Sequence, residues 1–173
     1  MRNRTTKFAA IAVFGLLAVG FAFASSTATS TMTVSATISA NCTISANPLA
    51  FGVYDPVVTN ASTALTGSTT LGVNCTNGAL TTVTLGQGSY PDVGGGSTDA
   101  SPLRRMKSGS NYLSYSLTQD SGGNTTWGNT SGTGEGYTGI GTADSLTVYG
   151  SVAAGQNEPA GTYSDSVVAT ITF

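Results

Sequence analysis

The stretch SVVATITF, Ser166 to Phe173, ends the sequence and alternates between polar and apolar side chains. Successive side chains of a strand point to opposite faces, so Val167, Ala169, Ile171 and Phe173 share one face. The alternation still holds at the final residue. We therefore expect an edge strand whose apolar face no later strand of the chain covers, and such an edge aggregates unless something pairs with it.

A second alternating stretch, TMTVSATISANC, runs from Thr31 to Cys42 ahead of the rest of the domain. Small polar residues separate its apolar positions, which are Met32, Val34, Ala36, Ile38 and Ala40. This pattern predicts a strand with one dry face. Nothing N-terminal to it offers a partner, so the sequence raises the question of which sheet this strand completes.

The first 24 residues have the features of a secretory signal peptide. Arg2, Arg4 and Lys7 precede an apolar run over 8–23, and AFA at 22–24 fits a cleavage site after Ala24. The alternative is an N-terminal membrane anchor. No other apolar run approaches the ~20 residues that a spanning helix needs, which argues against membrane insertion of the mature chain.

Cleavage would leave residues 25–173, enough for one domain. The mature chain would contain three basic and eight acidic residues, which gives a net charge of −5. Such a surface is a poor partner for nucleic acid or an anionic membrane.

The composition favours strands and turns over helices. Charged residues make up 8% of the chain against a typical ~25%, and there are 23 glycines. Short alternating segments recur about every ten residues, separated by Gly, Asn and Pro. This spacing predicts an antiparallel sandwich of about seven strands. Predicted strands include Thr43–Ser45, Leu49–Tyr54 and Tyr112–Thr118.

Cys42 and Cys75 are the only two cysteines of a chain predicted to be exported, so we expect them to form a disulfide. The sequence contains no histidine, which excludes a Ser-His-Asp triad and makes a metal site improbable. The carboxylates are scattered. We therefore predict neither enzymatic activity nor a cofactor.

Two local features allow a functional and a structural interpretation. The RRMK cluster, Arg104 to Lys107, is either an anion or subunit contact or a solvated strand start that prevents mispairing. Trp127 and Tyr137, in a glycine-rich segment, either form a sugar-binding platform or cover one end of the sandwich. The structural interpretation is favoured for both.

The stretch VYGSVAAGQNEPAGTYSDSVVATITF, Val148 to Phe173, resembles the C-terminal signature of spore coat U domain proteins, the archaic Csu-type pilins of the chaperone–usher pathway. Weaker support comes from FGVY (51–54), RRM (104–106), YLSYSLTQD (112–120), Trp127-Gly128 and the positions of both cysteines. The resemblance covers essentially all of the mature chain.

This resemblance implies an incomplete immunoglobulin-like sandwich, residues 42–173, that lacks its final strand. A periplasmic chaperone would fill the groove first, and the N-terminal extension of a neighbouring pilin subunit would replace it after passage to an outer-membrane usher. Residues 25–41 would then be the donor extension, with donor side chains Met32, Val34, Ala36 and Ile38. The acceptor edge would be Val167, Ala169, Ile171 and Phe173. The subunit would be exported to a surface pilus that supports adhesion or biofilm formation.

A second hypothesis stays open from the sequence. The extension could instead fold back into its own groove, giving a self-complemented secreted coat or carbohydrate-binding module. The oligomeric state of the mature chain distinguishes the two.

Overall fold

The computed structural model describes residues 24–173. The predicted signal peptide therefore lies almost wholly outside the described residues and stays a prediction. The chain divides into two units, of which the second, Thr37–Phe173, is the folded domain. Within residues 24–173, no helix is long and apolar enough to cross a bilayer.

The domain is all-β, as predicted, and its strands form two antiparallel sheets. The five-stranded sheet has the order β1-β2-β7-β5-β4, and the three-stranded sheet has the order β6-β3-β8. The strands are β1 (Cys42–Ala46), β2 (Leu65–Cys75), β3 (Leu80–Leu85), β4 (Arg104–Ser108), β5 (Asn111–Thr118), β6 (Glu135–Thr138), β7 (Ala143–Val152) and β8 (Ala169–Thr172).

The core forms where the two sheets face each other. Alternating residues of β2, β3, β5 and β7 supply it, because one face of each strand points inward. Its buried members are Leu71, Val73, Val83, Leu85, Leu117, Trp127 and Val148. Each buried side chain of this size contributes about 1.5–3 kcal/mol relative to exposure, so the core accounts for much of the folding free energy.

Trp127 belongs to this core rather than to a surface platform. It is 1% exposed, and its indole N–H donates to the Val83 carbonyl oxygen at 2.8 Å. Tyr137 is half-buried and packs against the same cluster. The sugar-platform interpretation of Trp127 is therefore wrong, and the segment that carries it closes the sandwich.

One strand prediction needs correction. Residues 49–54 alternate in sequence but form no strand, because Leu49 and Phe51 turn into the sandwich and Gly52 takes a left-handed conformation at φ 86°. The composition of the glycine-rich segment after Thr118 indicates a mobile loop or a ragged hairpin, and the segment contains the short strand β6. The described domain has eight strands, whereas the sequence indicates about seven with the N-terminal alternating stretch included.

The two ends of the sandwich are distinguished by their connections. Cys42 is opposite Cys75, and the two form a disulfide. β8 finishes at this same end, since Thr172 pairs with Thr82 near the start of β3. We call it the cysteine end.

The other end of the sandwich lies where β2 begins and β7 finishes, with Leu65 opposite Val152. The loop over 53–58 belongs to it, because the Tyr54 hydroxyl donates to the carbonyl oxygen of Ala153 at 2.8 Å. We call it the valine end after the three valines of this loop.

Candidate functional site: an open groove beside the last strand

A cavity of about 1040 Å³ opens between the two sheets. Its walls are two chain segments, 46–56 on one side and 158–169 on the other, of which only the end residues Ala46 and Ala169 belong to strands. Its floor is apolar and includes Leu71, Leu85, Leu113, Leu117, Val148 and Val152. Single sandwich domains normally close this space with side chains, so the cavity marks a missing element of the core.

The cavity lies beside a strand edge that lacks a partner. β8 pairs with β3 on one side only, and among residues 24–173 no strand pairs with its other edge. β1 likewise forms the outer edge of the large sheet. Cα atoms of β1 and β8 come within 8 Å of each other. The cavity lining includes Leu65 and Val152 but neither cysteine, so the cavity lies toward the valine end.

The residues predicted to form the acceptor edge lie at different positions relative to this groove. Val167 and Ala169 line it, and together with Ile171 they are half-buried against the core. Phe173 is exposed and is not among the lining residues.

The 46–56 wall contains the segment Leu49–Tyr54, which the sequence predicts to be a strand, and two of its side chains hold this wall in place. Leu49 and Phe51 lie over Gly150 of β7, where a Cβ atom would stand 2.6 Å from Leu49 Cδ2 and 2.8 Å from Phe51 Cζ. Any larger residue at 150 would therefore push this wall outward. The Phe51 ring also meets Tyr115 edge-on, with centroids 6.1 Å apart.

One polar pair interrupts the apolar lining. The Tyr115 hydroxyl on β5 donates to Asp165 Oδ2 at 2.7 Å, and Asp165 Oδ1 accepts the backbone N–H groups of Ser89 and Ser166, both at 2.8 Å. Burial, and then the neighbouring carboxylate, raise the pKa of Tyr115 far above its usual range, so the phenol keeps its proton. The pair fastens the 158–169 wall to the large sheet.

Arg104 ties β4 to the end of β3 and to Trp127 from inside the protein. It is 1% exposed, and its guanidinium donates to the carbonyl oxygens of Leu85, Gly86 and Trp127, each at 2.8 Å. Burial lowers its pKa to about 10, which leaves it charged at neutral pH. Both interpretations of Arg104 from sequence, a solvated strand start and an anion contact, are therefore wrong.

The other two cations of the cluster lie nearer the surface. Arg105 pairs with Asp92 at 3.2 Å and stacks over the Tyr112 ring at 4.3 Å, while Lys107 lies 5.1 Å from the Tyr90 ring. Arg105 is thus engaged within its own domain.

Replacing Tyr115 with Phe is expected to lower the free energy of unfolding by about 1–3 kcal/mol, because a half-buried carboxylate loses its donor. Urea denaturation measures this loss. Tyr163→Phe is the matched control, since its hydroxyl donates to the Pro159 carbonyl oxygen at the surface. Equal midpoints for the two variants would show that the Tyr115–Asp165 pair does not fasten the wall.

The predicted donor residues lie outside the sheets. Residues 24–41 contain no strand, and Met32, Val34 and Ile38 are strongly exposed, Ile38 at 85%. Ile38 stands only four positions before Cys42. The described chain thus leaves these three apolar side chains uncovered.

The base of this extension is fixed. The Asn41 N–H donates to Thr76 Oγ1 at 3.1 Å, and its carbonyl oxygen accepts the Thr76 N–H at 2.9 Å. The pairing of Cys42 with Cys75 in β1 and β2 is thus extended by one residue on each strand, to Asn41 and Thr76. The extension therefore leads into β1 from the cysteine end without a turn at Asn41.

Within residues 24–173, no three Cys, Asp or Glu side chains are arranged to hold a metal ion. What the site offers is an apolar groove, a free strand edge and one internally satisfied polar pair. This arrangement suits a β-strand as ligand, because backbone groups of β8 can pair with it while alternate side chains enter the groove.

The fold and groove define an immunoglobulin-like β-sandwich in which the place of one strand stands open. The chain belongs to the Spore Coat Protein U domain family, whose profile matches residues 28–170. Protein U of Myxococcus xanthus is 51% identical over 129 residues, which cover 72% of this chain and 71% of that protein.

A solved structure with the same fold is a chaperone–tip adhesion subunit pre-assembly complex, CsuC–CsuE, from the archaic chaperone–usher Csu pili of Acinetobacter baumannii. The TM-score is 0.56 at 23% identity, and the match covers 79% of this chain. It spans 40% of the length of the matched chain. At this identity the likeness establishes the fold.

Proposed function

We propose that the protein is a structural pilin subunit of a chaperone–usher fibre, which polymerises by donor-strand exchange. The observation that carries this proposal is the cavity of about 1040 Å³ beside the unpaired edge of β8. Residues 31–40 of a neighbouring copy would supply the missing strand. A periplasmic chaperone would hold the groove before assembly, an outer-membrane usher would pass the subunit outward, and the fibre would serve adhesion or biofilm formation at the cell surface.

The energetics support an exchanged strand. Burying Met32, Val34 and Ile38 at about 1.5–3 kcal/mol each gives roughly 5–9 kcal/mol before the cost of ordering the strand. This approaches the whole stability of a typical domain, about 5–15 kcal/mol. The subunit should therefore be marginally stable with an empty groove and very stable with a filled one.

The polarity of the donor follows from the ends of the sandwich. β8 runs toward the cysteine end, and the extension of the same chain also departs from that end. A donor antiparallel to β8 would bring its own domain to the acceptor's valine end, leaving the cysteine end free to pass a strand onward. This head-to-tail arrangement grows without closing.

The geometry argues against the self-complemented module. The extension would have to reverse just before Asn41, which Thr76 holds on both backbone groups. It would then have to run parallel to β8 past the point where β1 and β8 come within 8 Å. An exchanged strand meets neither obstacle, because it enters where the cavity lies.

The oligomeric state of purified residues 25–173 tests the proposal. We expect polymers that resist SDS at room temperature and collapse to one monomer band on boiling, because exchanged strands dissociate only when the groove unfolds. A stable monomer that buries Met32 and Ile38 would favour the self-complemented module instead.

A further inference from the structure

The loop at the valine end displays apolar side chains on a rigid frame. Val57 and Val58 are 78% and 74% exposed, although valine is usually buried. Asp55 Oδ1 accepts the N–H groups of both valines, at 2.9 and 3.1 Å. These hydrogen bonds lower the pKa of Asp55, which keeps the carboxylate ionised and the turn intact.

A buried side chain supports this turn from below. Asn60 is 2% exposed, its Oδ1 accepts the Asp55 N–H at 2.9 Å, and its Nδ2 donates to the Thr63 carbonyl oxygen at 3.0 Å. The polar groups of the loop are thus satisfied internally, while the valine side chains point to solvent.

The cysteine end carries a second apolar patch. Leu80 and Ile140 are 79% and 52% exposed. Leu80 begins β3 and Ile140 follows β6, and the two segments adjoin because the Gly139 N–H donates to the Ala79 carbonyl oxygen at 2.8 Å and the Gly141 N–H donates to that of Cys75 at 3.1 Å. One domain therefore has apolar patches at its two opposite ends.

The length of the connecting chain determines how far apart two linked domains can be. Four residue steps separate Ile38, the last large donor side chain, from Cys42 in β1, a span of at most about 14 Å when fully extended. With the donor antiparallel to β8 and Ile38 seated in the groove, which lies toward the valine end, this short span would make the donor's cysteine end a neighbour of the acceptor's valine end. The two ends that carry the apolar patches would then adjoin.

We propose that the Val57–Val58 turn of one subunit packs against Leu80 and Ile140 of the subunit whose strand it receives. The partner is a second copy of this chain, and the inference rests on the proposed strand exchange. The contact joins different patches of two identical molecules, so it repeats along an open fibre. The exchanged strand links neighbouring subunits, and this second contact fixes the angle between them.

The test compares fibres of the mature chain with fibres of Val58→Asp. Both should form the same SDS-resistant ladder, because residue 58 lies outside the groove lining. We expect open joints between subunits to become about tenfold more frequent, the factor that corresponds to 1.4 kcal/mol. Electron micrographs would show this as a shorter persistence length. Adding Leu80→Lys to Val58→Asp should restore stiffness by pairing the two charges across the contact.

Thr147→Asp is the control, since it adds the same charge at an exposed position in the middle of β7, between the two ends. Fibres of Val58→Asp as stiff as the parent would overturn the contact, and so would equal softening by Thr147→Asp or a failed rescue by Leu80→Lys. If the parent chain formed no SDS-resistant polymer, the proposed strand exchange, on which this contact depends, would itself be overturned.

Discussion

Replacing Ile38 with Asp is expected to stop polymerisation while leaving the subunit able to fold on its chaperone. In the proposed fibre Ile38 enters the groove of a neighbour, whose floor includes several Leu and Val side chains. An unpaired carboxylate buried there costs several kcal/mol, enough to cancel most of the roughly 5–9 kcal/mol that the donor supplies. The subunit's own groove is unchanged, so it can still accept a strand.

The measurement is co-expression with the chaperone, followed by analysis of soluble subunit and of SDS-resistant ladders. Thr37→Asp is the matched control, because it adds the same charge one residue away on the opposite face of the alternating segment. We expect Thr37→Asp to polymerise like the parent. Polymerisation by Ile38→Asp at the parental level would exclude residues 31–40 as the donor strand.

The fold class could be predicted because period-2 alternation is a local property. The alternation over Tyr112–Thr118 predicts one buried face, and Leu113 and Leu117 of that face are both buried. The same alternation wrongly predicted a strand at Leu49–Tyr54. Among the described residues no strand pairs with this segment, and Leu49 and Phe51 pack into the groove wall instead. Alternation reports a buried face, and the face need not belong to a paired strand.

The polar supports of the groove could not be predicted from sequence. Tyr115 and Asp165 are 50 residues apart, and nothing in TYSDS distinguishes Asp165 from the other carboxylates. Arg104 looked solvated because it belongs to the one basic cluster of the mature chain. Its strand position, opposite Tyr115, turns it inward, where three carbonyl oxygens replace water. Such long-range pairings follow from sheet order, which local patterns do not determine.

The second large effect is expected when the donor sequence is placed where the missing strand belongs. A copy of residues 31–40, joined after Phe173 by a short flexible linker, would start at the cysteine end and run back along β8 in the antiparallel direction. The variant should be a monomer, since every groove is filled from within its own chain. A net gain of about 5 kcal/mol would raise Tm by roughly 10–20 °C for a domain of this size.

Calorimetry and size-exclusion chromatography measure the two effects, and an Asp in place of the isoleucine of the appended copy is the control, expected to abolish both. The experiment also tests the polarity of the donor. If the appended copy failed to stabilise the domain while a free peptide of the same sequence did, the donor would lie parallel to β8. A parallel donor places its own domain at the cysteine end of the acceptor, where the acceptor's extension also departs. That arrangement favours closed pairs or self-complementation over a fibre, so comparing the Tm shift from the appended copy with that from the free peptide decides between the two functions.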